Sequence, residues 1–334
     1  MSLPGSSDLL ERVRAHTQRS DFAAVVRLLD GTPDELLLED PELGYHAAYA
    51  RRRVGRTVAA LDLVKRLDVV VRRRADAWLI RRRLNLEAML RYDSGDLAAA
   101  EQLWWHVVEL ATRDGDLALL SAAHNNLGVI QTLHDRTDDA LATYNRALVA
   151  AHQLGDRRGV AQAHQNLAIL YRERGRLLEA ESHFLEAMQH ARVSSSDDVL
   201  GRAEEERALL LLDQGDATLA RAAASRALAR LRAIEDANGA GEALRVLGIV
   251  ALRERAMEHA AEYLAQALEQ ARHVHNPLLE AETEEALGVL ALATGDDDGA
   301  QRYRDAAERR FGMLSAEPWG RRIRERTLEL AALT

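Results

Sequence analysis

The sequence predicts an all-α solenoid of antiparallel helix pairs, and three observations carry that prediction. Small residues recur every forty positions: Ala60, Ala100, Ala140, Ala180, Ala220, Ala260 and Ala300 keep one register. Ala48, Ala88, Gly128, Ala168, Ala208, Gly248 and Gly288 keep another, twelve positions earlier. A period of this length marks an architecture that grows by stacking units, each too small to bury its own apolar face. The composition is that of helices: with 4% aromatic residues and five prolines, little material remains for strands or breaks. Alanine, leucine, arginine and glutamate, all strong helix formers, dominate. The third observation is punctuation in the same period. Asp76, Asp116, Asp156, Ser196, Asp236 and Asn276 are N-cap types, whose side chains accept from free N–H groups in a first turn. Gly55, Gly95, Gly175, Gly215 and Gly295 keep a further register, with Asp135 and Arg255 replacing glycine, and suit the left-handed turn that ends a helix.

Taken along the chain, residues 1–40 read as a degenerate, out-of-register helix pair that caps the array. Asp8 with Glu11 suits a capping box, Ser20 with Asp21 a turn, and Phe22, Val25, Leu28 and Leu29 supply apolar contacts. Thr32-Pro33-Asp34-Glu35 is a second capping-box pattern, opening a short helix. Seven units follow, 41–80, 81–120, 121–160, 161–200, 201–240, 241–280 and 281–315. Each reads as a cap, a helix of about 17 residues, a tight turn and a second helix of similar length. That makes about eight helix pairs, closed by a capping helix over 316–334. In it Pro318 suits the first turn, and Ile323, Leu330 and Leu333 face the last unit. Arg321, Arg322, Arg324, Arg326 and Glu329 are expected to face water, as at the end of a solenoid.

Within 121–160, Leu127, Gly128, Ala140, Tyr144 and Ala147 mark the packing offsets, and Leu167, Ala168, Ala180, Phe184 and Ala187 repeat them in the next unit. This pattern resembles the tetratricopeptide repeat, and a period near forty resembles its longer-helix branch, which includes kinesin light chains and bacterial peptide-sensing regulators. The match is strong over 81–190, fair over 41–80 and 191–310, and weak at both ends. The family's second-helix aromatic is missing at Ala224 and Arg304, so looser packing is expected there. The resemblance implies a right-handed superhelix whose concave groove, lined by first helices, binds a protein or peptide segment.

By that resemblance the groove contacts are Asn126 and Asn166, at one offset in adjacent units. Their carboxamides donate and accept together and can hold an extended backbone. Asn125, Gln162, Gln165, Arg172 and Glu173 flank them, while solvated helix surface is the plain alternative. The basic clamp with which some family members hold a chaperone carboxylate is missing: its two offsets read Ala122/Asn126 and Gln162/Asn166 in the central units. Charged groove contacts are placed at Arg52, Arg53, Arg82, Glu205, Glu206, Glu242 and Glu282. The basic excess of 41–100 sits in three arginine triplets, Arg51–Arg53, Arg72–Arg74 and Arg81–Arg83, whereas 201–300 is acidic. Solvated faces and intrahelical pairing account for most arginines on this reading. With a net charge of −9 and no aromatic stacking platform, nucleic acid is disfavoured.

His124 and His164 share a packing offset and read as semi-buried core. His273 and His275 lack the further ligands a metal would need. Trp104 takes a core offset and Trp105 a more exposed one. The absence of cysteine excludes disulfides and thiolate metal sites. Nucleophile-elbow, phosphate-loop and zincin motifs are absent, so no enzyme and no cofactor are expected. The start of the sequence does not read as a signal peptide, no apolar run spans a membrane, and the expected compartment is the bacterial cytoplasm. Three functional readings remain: a non-catalytic scaffold for a protein or peptide, a bacterial peptide-sensing regulator that sequesters a partner, and a self-assembling element that forms a homo-oligomer through an end unit. In the second reading, residues 1–40 are too short for a helix-turn-helix module.

Overall fold

The computed structural model describes residues 6–18, 21–29 and 31–332, with side chains over 8–17, 21–29 and 31–329. Among the described residues there are helices and no strand. In chain order the helices are α1 (Ser6–Gln18), α2 (Phe22–Leu29), α3 (Asp34–Glu39), α4 (Pro41–Arg53), α5 (Thr57–Arg74), α6 (Ala77–Asp93), α7 (Leu97–Asp114), α8 (Leu117–Leu133) and α9 (Thr137–Leu154). They continue as α10 (Arg157–Glu173), α11 (Leu177–Val193), α12 (Asp197–Asp213), α13 (Ala217–Ala233), α14 (Ala237–Arg253), α15 (Met257–His273), α16 (Pro277–Ala293), α17 (Asp297–Met313) and α18 (Glu317–Ala332). The fold is all-α, with neighbouring helices packed in pairs. It divides into two compact units, Met1–Asp114 and Gly115–Thr334.

In the first unit, α1 to α4 pack around Val13, Phe22, Val25, Leu37 and Leu43, and the core continues through Leu63 and Leu67 to Leu86 and Leu90. The start of the chain differs from expectation in its caps. Because α1 begins at Ser6, Asp8 lies inside its first turn and does not cap it. The short helix α3 forms, but Pro33 is its N-cap and no side-chain cap bond is made, since a proline ring offers no acceptor. Asp21 accepts from the Ala24 N–H at 3.0 Å and opens α2, while Ser20 lies outside the described residues.

In the second unit the pairs α8–α9, α10–α11, α12–α13, α14–α15 and α16–α17 repeat one packing scheme. Tyr144 fills the space above Gly128, Phe184 packs near Ala168, and Leu264 closes on Gly248. The absence of an aromatic at Ala224 does not open the core there. Leu228 and Leu231 are buried in a cluster that runs on through Leu244, Val246 and Leu264, so larger aliphatic neighbours replace the missing ring.

The turns explain the helix boundaries. Asp76, Asp116, Asp236 and Asn276 sit at N-caps and accept from the N–H three residues on. Asp156 and Ser196 hold the same position without that bond. Gly55, Gly95, Gly175, Gly215 and Gly295 have φ between 70° and 86°, and Asp135 and Arg255 adopt φ of 60° and 61° in their place. A second left-handed register exists at Ala75, Gly115, Gly155, Ser195, Glu235, His275 and Ser315, again forty residues apart. Only two of these seven are glycine, so composition alone gives no sign of it.

Candidate functional site

The first helices of the second unit touch one another in series, α8 with α10, α10 with α12, α12 with α14 and α14 with α16, and form one layer. The last helix, α18, packs on α16 and α14 and also reaches α8. This placement decides the state of most residues expected in a groove.

Asn125 is buried at 5% exposure. Its Oδ1 accepts from Asn166 Nδ2 at 3.3 Å, and its own amide nitrogen has no partner. Asn126, Gln162, Gln165 and Asn166 are half-buried. The two adjacent helices therefore bring Asn125 and Asn166 together. An unsatisfied buried amide costs the protein on the order of 1–3 kcal/mol.

Arg172 is not a solvated flank residue but is buried at 4% exposure. Its Nη2 donates to Glu173 Oε1 at 2.8 Å and lies 3.4 Å from Glu206 Oε2. Burial lowers the proton affinity of this guanidinium, but Glu173, Glu206 and Asp213 outweigh it, so its pKa lies above the usual arginine value. Glu205, expected at the surface, is 2% exposed and one of its carboxylate oxygens has no hydrogen-bond partner. Burial, with Glu206 and Glu242 close by, pushes its pKa well above the ordinary glutamate range. Glu242 binds Arg202, its Oε2 lying 3.2 Å from Nη1. Glu282, also buried, lies 3.3 Å from Arg245 and accepts from the Trp319 indole N–H at 2.6 Å.

The expectation that α18 turns its arginines to water is corrected. Arg326 donates to Glu173 at 2.7 Å and also to Asp213; Arg324 donates to Glu285 and Glu308, both at 2.7 Å; Arg322 pairs with Asp135. Of these carboxylates Glu285 is buried and Glu173 and Asp213 are half-buried, whereas Asp135 and Glu308 are exposed. Arg321 and Glu329 are exposed as expected and Ile323 is buried, while the side chains of Leu330 and Leu333 lie outside the described residues.

In the first unit the arginine triplets are paired chiefly between helices. Arg51 donates to Asp34, Arg52 forms two bonds to Asp93, and Arg53 lies over the Phe22 ring at 4.6 Å. Arg82 stands over Trp78 at 5.7 Å, and Arg83 bridges Asp68 and Glu87. These contacts engage most arginines of the first and third triplets within the chain.

His124 is buried at 8% exposure. Half-buried His164 lies 2.8 Å from His183, ring nitrogen to ring nitrogen, and stacks near His190. Burial lowers the pKa of both His124 and His164 to about 4; Arg146 adds to this at His124, and the neighbouring histidines do so at His164. No metal-holding group of His, Asp or Glu is found among the described residues. Trp104 is 2% exposed and donates to Asn85, whereas Trp105 is 43% exposed. No described helix is long and apolar enough to cross a membrane.

Residues 135–192 match the family model of the tetratricopeptide repeat. The chain carries that repeat within a fold that other proteins of this architecture share. A Rap protein solved in complex with competence and sporulation factor is similar over 98% of both chains, with a TM-score of 0.67 and 13% identity. NprR, solved in complex with its cognate peptide NprX, is similar over 90% of this chain and 87% of its own, with a TM-score of 0.62 and 14% identity. Aspartyl phosphate phosphatase F from Bacillus subtilis is similar over 97% of this chain and 91% of its own, with a TM-score of 0.55 and 13% identity. No curated protein matches the sequence.

Proposed function

We propose that the chain is a non-catalytic scaffold that binds a protein or peptide segment on the layer of first helices in its second unit. The observation that carries this reading is the asparagine group: Asn126 and Asn166 are half-buried in adjacent helices, beside a buried Asn125 whose amide lacks an acceptor. Such groups hold a peptide backbone without dictating its side chains. The fold shared with a Rap protein and NprR, each solved with a bound factor or peptide, supports the class. A regulatory variant, in which a bound peptide governs the capture of a second protein, is favoured by the same two likenesses. We assign residues 41–315 to seven forty-residue repeats, residues 1–40 and 316–334 to the ends of the array, and the protein to the bacterial cytoplasm.

Selection from a displayed peptide library against the full chain tests the assignment. Peptides enriched on the wild type are expected to lose at least tenfold in affinity on the Asn126→Ala/Asn166→Ala variant at matched thermal stability. Unchanged affinity would move the site elsewhere.

A further inference from the structure

The groove layer carries more carboxylates than its own helices neutralise. Glu173, Glu205, Glu206, Asp213, Glu242 and Glu282 face one another across α10, α12, α14 and α16, and Arg172, Arg202 and Arg245 are the cations among them. Arg326 enters this cluster from α18, between Glu173 and Asp213, across sequence separations of 153 and 113 residues. Arg322, one turn before it, meets Asp135 across 187 residues. Even so, Glu205 keeps an oxygen without a partner at 2% exposure. Buried carboxylates are costly unless paired, and Arg326 brings from α18 the cation that Glu173 and Asp213 take.

The helix that carries Arg326 is tied to the rest of its unit by ion pairs of Arg322, Arg324 and Arg326. Among its described residues it buries two large apolar side chains, Trp319 and Ile323, while Leu328 is 37% exposed. A small cleft where α16, α17 and α18 meet is lined by Val289, Leu292, Ala300, Arg304, Arg324 and Leu328. Ion pairs of partly exposed groups are salt-sensitive and exchangeable.

We propose that this layer recognises an amphipathic helix bearing arginines one turn apart, and that α18 is its resident occupant, which a partner helix of the same chemistry must displace. The proposal rests on the reading that the layer is a binding surface and names the partner class for it. Arg322 and Arg326 show the spacing the surface accepts, with Arg324 turned to Glu285 on the flank and an indole donor to Glu282 fixing the start of the helix.

The probe is a fluorescein-labelled synthetic peptide of residues 316–334, titrated by anisotropy against the full chain. The Arg322→Gln/Arg324→Gln/Arg326→Gln variant, whose own helix no longer competes, is expected to bind it at least tenfold more tightly than the wild type. The same peptide carrying those three Arg→Gln changes is expected to lose at least tenfold in affinity. Equal affinity for wild type and variant, or for the two peptides, overturns the proposal. Should the variant fail to fold, the wild type alone decides: saturating peptide must accelerate amide exchange over 317–332 severalfold, and unchanged exchange overturns the proposal. A wild-type dimer in sedimentation that the three changes dissociate would seat α18 on a second copy and refute self-occupancy. A displayed peptide that binds wild type and variant equally, yet is lost on Asn126→Ala/Asn166→Ala, keeps the scaffold reading and removes this one.

Discussion

Gly128, Gly248 and Gly288 occupy one register of the repeat, yet adding a methyl group should have opposite effects at its two ends. A Cβ on Gly128 would lie 2.3 Å from Tyr144 Cε1 and 2.6 Å from Cδ1. The ring cannot move aside freely: Tyr144 is 2% exposed, and its hydroxyl is 3.2 Å from Thr132 Oγ1, which itself bonds to the Gly128 carbonyl. Overpacking of this kind costs about 1–3 kcal/mol, and loss of the Tyr144–Thr132 bond adds about 1 kcal/mol. Against this, replacing glycine by alanine in a helix interior gains about 1 kcal/mol. Gly128→Ala is therefore expected to destabilise by roughly 1–3 kcal/mol. At Gly288 the nearest atoms, the Ala300 carbonyl oxygen and Tyr303 Cβ, stand at 3.6 Å, an ordinary contact. Gly288→Ala should keep most of the helix gain, about 0.5–1 kcal/mol. For a unit of this size about 2–4 °C accompanies each kcal/mol, so in thermal melts followed by circular dichroism the first variant falls by several degrees and the second rises by a few. Tyr144→Phe should partly rescue Gly128→Ala, because Ala168 and Phe184 already coexist at these offsets. A Gly128→Ala protein as stable as the wild type, or two variants that shift in the same direction, would refute the argument from packing.

Asp216 accepts from the Leu219 N–H at 2.9 Å, so Asp216→Ala should cost about 1 kcal/mol, whereas Asp156→Ala, where no cap bond exists, should cost less than half of that in the same denaturant titration. Ala75 is exposed and holds φ of 53°, so Ala75→Gly should stabilise by about 0.5–1 kcal/mol, read as a rise in the urea midpoint. His124 and His164 titrate near pH 4 when folded and near 6.5 when unfolded, so the unfolded chain binds more protons between those values. Their contribution is intact above about pH 6.5 and is lost as pH falls toward 4, by on the order of 2 kcal/mol at pH 5 for His124 and less for half-buried His164. Chemical denaturation from pH 8 to pH 5 should show a shallower loss for His124→Gln than for the wild type, and parallel curves would contradict it.

Periodic residues made most of the fold legible. Alanine and glycine at fixed offsets betray helix–helix contacts because close backbone approach tolerates little else, and the N-cap residues mark where helices begin. The left-handed positions at Ala75, Ser195, Glu235, His275 and Ser315 stayed invisible, since the neighbouring packing imposes the conformation on residues that do not favour it. The proposed binding surface was half legible. Asn126 and Asn166 fall where the repeat offset places them, but the burial of Asn125, Arg172 and Glu205 depends on neighbouring helices and on what lies over them. The pairing of Arg326 with Glu173 and Asp213 joins polar residues more than a hundred positions apart, and such contacts leave no period in a sequence.

The two left-handed residues in every forty also bear on how such a chain can change in length. From Gly115 to Gly155, or from Ser195 to Glu235, the backbone returns to the same dihedral state after the same number of residues. Duplicating or excising one such interval joins like to like and leaves each remaining helix its cap, its turn and its neighbour. An insertion of one residue inside a helix instead rotates everything beyond it by about 100° and turns the small-residue face away from its partner. Recombination in whole intervals is therefore the cheap route by which this architecture lengthens or shortens, and insertion of single residues within a helix is the disruptive one.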